Sequence, residues 1–316
     1  MAQVLACNGH DVRLWARRDV VAQGINEAHR NPDYLKDALL SDRIWATSSV
    51  AEALRGVQAA VAVTPSKHVR AAAESMRSIG ERVPVVVCSK GVEEGTGLVP
   101  VEVFAEVIGK SERLAVLSGP NHAEEVVRDV PAATVVASEN PQTAAFFQEL
   151  FASQAFRVYT SHDVLGVELC AAFKNVIAIA VGVSYGLGYG DNTAAMLMTR
   201  GQAEMGRLVA AAGGDAMTCM GLAGTGDLIA TCMSRHSRNR TFGEALAAGE
   251  TVEQYESRMH MVADGALACK TLGTLSRRYE VELPITDVVR SLVWDHADPR
   301  DVADLLAARS LKPEFY

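Results

Sequence analysis

Val12-Arg13-Leu14-Trp15-Ala16, followed by Arg17-Arg18-Asp19, is the stretch that decides the fold class. Its first five residues predict a short buried strand, and residues 19–30 predict the helix that follows. The alternation then repeats. A turn at Asn31-Pro32-Asp33 leads to a strand near Ile44-Trp45-Ala46, and then to a small helix with Ser48 or Ser49 as N-cap and Glu52 placed for a capping box. Residues 59–64, 83–88 and 114–117 are further apolar runs, and each ends in a polar turn: Thr64-Pro65-Ser66, Ser89-Lys90-Gly91 and Ser118-Gly119-Pro120. Residues 134–137 and 156–159 are the last strand candidates. Short aliphatic runs separated by helix-length segments predict βα units and a largely parallel sheet.

After about residue 160 the period changes. Residues 165–185, 193–212, 240–248, 265–280 and 286–295 read as long Ala/Leu/Met-rich helices with no convincing strand between them. The 316 residues therefore divide into an α/β domain, 1–160, and an all-α domain, 161–316, packed directly on it. Apolar residues make up 49% and charged residues 22%, which is globular composition and not that of a disordered chain. A net charge of −8 excludes nucleic-acid binding through the overall field. The longest uncharged apolar stretch, residues 175–190, is broken by four glycines and is shorter than the ~20 residues of a membrane span. The first residues carry no secretory signal, and the six cysteines show no CxxC spacing, so free buried thiols in a reducing cytoplasm are expected. No histidine pattern suggests a metal site.

In open parallel sheets the ligand crevice lies at the carboxyl ends of the strands. Here those ends offer hydroxyls, backbone amides and the Lys90 ammonium, although Ser, Gly and Pro are also ordinary turn residues. Arg17 and Arg18 stand where such folds meet an adenosine ribose, and arginine there suits the 2′-phosphate of NADP; they read equally well as a solvated surface pair. The GxGxxG fingerprint is absent from the start of the chain, which opens in helix-like sequence running to a C-cap at Asn8-Gly9.

The helical half carries three features. Lys174 sits in the apolar run Leu169-Cys170-Ala171-Ala172-Phe173-Lys174-Asn175-Val176-Ile177. It either snorkels to water or is desolvated, with a lowered pKa suited to proton exchange. Asp227, after Gly224-Thr225-Gly226, is either an N-cap or part of a polar site that Thr231 extends from the same helix face. Arg235-His236-Ser237-Arg238-Asn239-Arg240 places three arginines before a helix. Cations oppose the macrodipole there, so the cluster is either a solvated basic loop or the seat of an anion such as phosphate.

Taken together, Gly9-His10-Asp11-Val12-Arg13-Leu14-Trp15, Ser89-Lys90-Gly91, Ser118-Gly119-Pro120, Lys174-Asn175-Val176-Ile177-Ala178, Gly224-Thr225-Gly226-Asp227-Leu228, Ser237-Arg238-Asn239-Arg240 and Leu283-Pro284-Ile285-Thr286 resemble the bacterial NAD(P)-dependent glycerol-3-phosphate dehydrogenases over nearly the whole chain. The resemblance implies a Rossmann-like domain, here without its first strand and glycine-rich turn, followed by a helical substrate domain. It also implies reversible reduction of dihydroxyacetone phosphate to sn-glycerol 3-phosphate for glycerophospholipid synthesis, with NAD or NADP as cofactor. Lys174 would exchange the proton at C2. Lys90, Gly119, Asn121, Asp227, Ser237, Arg238 and Asn239 would touch substrate. Arg17, Arg18, Lys90, Ala123, Arg238, Val262 and Asp264 would touch the dinucleotide. Asn121 stands where Ser or Thr is more usual, and Asp264 where Glu is common. A cytoplasmic protein is expected, acting on a small phosphate substrate without nucleic acid or membrane insertion, and compatible with a homodimer. The departure at the start suggests that Met1 is an internal methionine and that this polypeptide binds cofactor poorly. Two rival readings are a different 2-hydroxy-acid dehydrogenase and a catalytically impaired remnant that only dimerises or binds a partner.

Overall fold

The computed structural model describes residues 1–80, 82–109, 111–235, 237–259, 264–300 and 314. Within them, β1 (Val12–Trp15) and β2 (Ile44–Thr47) form a parallel pair, while β3 (Ala60–Ala62), β4 (Val85–Val87), β5 (Leu114–Ser118), β6 (Ala132–Ala137) and β7 (Phe156–Ser161) form a second sheet in that order. No backbone ladder joins the two sheets among the described residues. β4 is fully buried between β3 and β5, which is why it reads as an unbroken run of valines rather than an alternation.

The intervening helices are α1 (Ala2–Cys7), α2 (Asp19–Ala28), α3 (Val50–Leu54), α4 (Val69–Ile79), α5 (Pro100–Ile108), α6 (Ala123–Val126) and α7 (Pro141–Phe151). α1 ends at Asn8, and Gly9 takes φ 91°, the left-handed conformation its position required. Ser49 caps α3 by accepting from Glu52 N, but the expected capping box is only half made, because the Glu52 carboxylate accepts instead from Thr47 Oγ1 at 2.6 Å. One strand departs from the parallel reading: β6 runs antiparallel to β5, with Val116 opposite Ala137. The link between them, residues 119–131, holds only the four-residue α6 and so lacks the crossover helix a parallel pair uses.

The second half contains α8 (Val164–Gly186), α9 (Asp191–Ala211), α10 (Asp227–Met233), α11 (Arg238–Ala247), α12 (Val252–Met259), α13 (Asp264–Tyr279) and α14 (Pro284–Trp294). α8 is the spine. It is buried continuously from Gly166 to Ser184, with α9, α10, α11, α13 and α14 packed around it. Its length and composition would suffice for a membrane span, and it extends further than the uncharged stretch suggested because Glu168 and Lys174 lie inside it. In the fold it is a core helix, wrapped by protein. α11 crosses it at backbone contact. A Cβ at Gly182 would collide with the Arg240 carbonyl, and one at Gly243 with the Ile179 carbonyl. Gly182 interrupts the apolar run and Gly243 faces it from α11, so that the two helices can touch.

Buried acidic side chains fasten the halves and the helices together. Asp163 caps α8 by accepting from Gly166 N at 2.9 Å. Glu168 accepts from Val101 N at 2.9 Å and so joins α8 to the first turn of α5. Glu204 accepts from Ile285 N at 2.7 Å at the start of α14.

Candidate active site

The three polar turns at the carboxyl ends of β3, β4 and β5 are bonded to one another. Ser89 Oγ donates to the Thr64 carbonyl at 2.6 Å, Gly91 lies against the Ser66 side chain, and Lys90 Nζ donates to the Gly119 carbonyl at 3.1 Å. Lys90 then reaches across to the helical half, where its Nζ meets Asp227 Oδ2 at 2.5 Å.

The other carboxylate oxygen, Asp227 Oδ1, accepts from Lys174 Nζ at 2.9 Å, and Lys174 also donates to Thr231 Oγ1 at 2.8 Å. Lys174 does not snorkel: it is 7% exposed, and its ammonium points along the helix interface rather than out to water. Burial lowers its pKa to about 8, with the charge of Asp227 opposing the fall and the like charge of Lys90 adding to it. For Asp227, burial alone would raise the carboxyl, but the two ammoniums and their hydrogen bonds more than reverse that and hold it below the usual carboxylate range. Nor is Asp227 an N-cap. Gly226 holds that position, and Asp227 is the first residue of α10 with its side chain turned to the lysines.

A second polar cluster lies on the far side of Lys174. Asn239 Nδ2 donates to Asn175 Oδ1 at 2.9 Å, and Asn239 Oδ1 accepts from Gly265 N at 2.9 Å, tying α11, α8 and α13 together. Arg238 Nη2 stands 3.4 Å from Asp264 Oδ2. Burial raises the Asp264 carboxyl against the pull of the Arg238 and Lys174 charges and a hydrogen bond with Ser66. One carboxylate thus lies within electrostatic reach of Lys174, Arg238 and the β3 turn.

The chain matches the family model for the NAD-dependent glycerol-3-phosphate dehydrogenase N-terminus over residues 1–144 and the corresponding C-terminus model over residues 163–304. The chain belongs to the NAD-dependent glycerol-3-phosphate dehydrogenase family. It is 44% identical to the glycerol-3-phosphate dehydrogenase [NAD(P)+] of Corynebacterium urealyticum over 99% of this chain and 96% of that one, and 45% identical to that of Thermobifida fusca over 96% and 91%. The crystal structure of glycerol-3-phosphate dehydrogenase from Coxiella burnetii superposes with a TM-score of 0.92 at 34% identity, covering 98% of this chain and 94% of that one.

Glycerol-3-phosphate dehydrogenases of this family use NAD(P), and the strand edge where a dinucleotide would lie carries unpartnered polar atoms. Thr64 Oγ1, Ser118 Oγ and Asn121 Oδ1 are buried at the carboxyl ends of β3 and β5 without a hydrogen-bond partner, which is what a polar ligand along that edge would satisfy. Arg17 is exposed just past the end of β1, whereas Arg18 is paired with Asp33 and is the less available of the two. Ala123 opens α6 beside this edge, and Val262 lies outside the described residues.

The remaining residues singled out in the sequence divide. Gly119 packs so tightly on Thr134 that a Cβ would come within 2.9 Å of the Thr134 Cα, and Asn121 Nδ2 donates to Thr134 Oγ1 at 2.9 Å. Ser237 is the N-cap of α11, accepting from Arg240 N. Arg240 leaves the anion cluster altogether: it pairs with Glu244, donates to the Met233 carbonyl at 2.7 Å and stacks over Tyr185 at 4.5 Å. The reading of three arginines around one anion is thereby corrected. Sequence reasoning passed over Thr134, a strand residue in an apolar run, and Asn175, whose only signal was its place beside Lys174.

Proposed function

We propose that this protein reduces dihydroxyacetone phosphate reversibly to sn-glycerol 3-phosphate, with residues 1–160 holding NAD or NADP and residues 161–316 holding substrate. The observation that carries the reading is the buried Lys174 ammonium, fixed between Asp227 and Thr231 with a pKa near 8. A group with that pKa exchanges protons readily near neutral pH, as a general acid and base must.

In the forward direction the Lys174 ammonium donates its proton to the C2 oxygen as the ketone becomes an alcohol, and in reverse the neutral amine takes it back. Bound NAD(P)H supplies the hydride. Asp227 keeps both ammoniums oriented, and Lys90 adds a second positive charge where oxyanion character develops. Arg238 exchanges its Asp264 partner for the substrate phosphate, assisted by the Ser237 hydroxyl and the amides opening α11. Asn239 and Asn175 hold the phosphate side and the proton-transfer side at a fixed separation. Binding energy from the remote phosphate orients the carbon that reacts.

The test is NAD(P)H oxidation driven by dihydroxyacetone phosphate, compared with unphosphorylated dihydroxyacetone and with Lys174→Ala. We expect kcat/KM to fall by about three orders of magnitude without the phosphate. Lys174→Ala should lose about 10²–10⁴ in kcat. Equal rates on the two ketones, or a fully active Lys174→Ala, would overturn the reading. A catalytically impaired remnant is not favoured, because the relatives that match nearly the whole chain are glycerol-3-phosphate dehydrogenases. We also propose a cytoplasmic protein without nucleic-acid or membrane partners, which the six free cysteines and the net charge of −8 support. A homodimer is proposed as its assembly, supported by exposed Met196, Met217 and Met220, and light scattering would decide it.

A further inference from the structure

Asp227 is preceded directly by a π-helical turn, Leu222–Gly226, in which Gly226 N donates to the Gly221 carbonyl at 3.1 Å. A π-turn carries one residue more than an α-turn and so rotates everything after it; such turns are rare and recur at functional sites. This one is what brings both Asp227 and Thr231 to face Lys174. Relaxation to an ordinary α-turn would shift the register by one residue, swinging the Asp227 side chain by about 100° around the helix.

The Cys219 carbonyl is the hub that prevents this. Gly224 lies so close to it that a Cβ would collide. Thr225 Oγ1 donates to the same carbonyl at 2.9 Å. Gln202, reaching over from α9, donates through Nε2 to Thr225 Oγ1 at 2.7 Å and to the Cys219 carbonyl at 3.4 Å. Its Nε2 also lies 2.9 Å from Met220 Sδ. Hydroxyl, amide and carbonyl thus form a closed set across the turn, and α9 supplies the member that comes from outside it.

We propose that Gln202 and Thr225 are positioning residues for proton transfer: together they lock the π-turn that aims the Asp227 carboxylate at Lys174 and Lys90. The inference rests on the roles assigned above to Lys174 and Asp227. Neither Gln202 nor Thr225 bonds to Lys174, Lys90, Arg238 or Asn239, so their effect passes through the carboxylate alone.

The test uses Thr225→Val, which keeps the shape and removes the hydroxyl, and Gln202→Met, which keeps the length and removes the donor. Thr225→Ser restores the hydroxyl, and Lys174→Ala serves as reference. Each full-length variant is assayed for reduction of dihydroxyacetone phosphate across pH, with its melting temperature recorded. Thr225→Val and Gln202→Met should lower kcat about tenfold by misplacing the carboxylate. KM for the ketone phosphate should stay within about twofold, since the phosphate is held from α11. The alkaline limb of the rate profile should move to lower pH, because a displaced Asp227 no longer opposes the effect of burial on the Lys174 ammonium. Thr225→Ser should return both kcat and limb to wild type. The inference is overturned if the limb stays at the wild-type pH in Thr225→Val and Gln202→Met, or if Thr225→Ser is as impaired as Thr225→Val. If Lys174→Ala is itself active, the assignment of proton transfer falls and this inference with it. If Lys174→Ala is inactive while the other variants match wild type, only this inference falls.

Discussion

Lys174 Nζ and Asp227 Oδ1 lie 2.9 Å apart in the protein interior, joined across 53 residues of sequence. The pair is not a closed ion pair, because Lys90 claims the other carboxylate oxygen from the opposite half of the molecule. Two ammoniums thus share one carboxylate, and on the proposed reading their surplus positive charge faces the oxygen that gains negative charge.

The first consequence is a pair of mirror-image pH profiles. Ketone reduction needs the protonated Lys174 and should decline as pH rises through about 8, while alcohol oxidation needs the neutral amine and should rise through about the same value. Steady-state rates in both directions over a pH series check this, and parallel rather than opposed limbs would be inconsistent with Lys174 as the titrating group.

The two neighbouring arginines should behave differently. Arg238→Ala should raise KM for the ketone phosphate by roughly 10–100-fold, the worth of one or two charge-assisted bonds, at little cost in melting temperature. Arg240→Ala should instead lower the melting temperature by several degrees, through loss of the Tyr185 stack and the Met233 carbonyl bond, with KM nearly unchanged. Kinetics and calorimetry on the two variants separate them.

This contrast shows where the sequence is and is not transparent. Arg238 and Arg240 lie in one basic motif, yet two helical steps turn their side chains about 200° apart, and only the packing of α11 decides which one pairs with Asp264 and which one stacks on Tyr185. Lys174 and Asp227 stand out because each is a charge in a setting that does not favour it, an apolar helix and a glycine-rich turn, but the same settings also suit a snorkelling lysine and an N-cap, and only packing brings the two together. The long helices were legible from their period. The direction of β6 was not, because an apolar run looks the same read either way and only the linker that precedes it carries the information. Thr134 and Gln202 act through geometry made by distant segments, and nothing beside them in sequence marks them.

Glu204 makes stability depend on pH. Burial raises its carboxyl to about 7 against the hydrogen bonds from Ile285 and Thr286, so the folded state holds a proton that the unfolded chain has already released. Between about 4.5 and 7 the native state therefore binds more protons, and stability falls as pH rises through that window, by roughly 3 kcal/mol from this group. Glu204→Gln should flatten this slope in urea titrations at pH 5 and pH 8, and an unchanged slope would count against it.

Gly182→Ala should be among the costlier small substitutions in the protein. The added methyl meets the backbone carbonyl of Arg240 rather than a side chain that can turn aside. We expect a loss of about 1–3 kcal/mol in denaturant titration. A rise in KM should accompany it, since the displaced helix carries Ser237, Arg238 and Asn239.

The glycine crossing of α8 and α11 does more than hold two helices together. One rod carries the ammonium, the other the guanidinium, and neither can slide or spread where backbone rests on backbone. On the proposed reading the spacing of those two rods works like the jaws of a caliper: a phosphate one carbon nearer to or farther from the carbonyl would engage one jaw and miss the other.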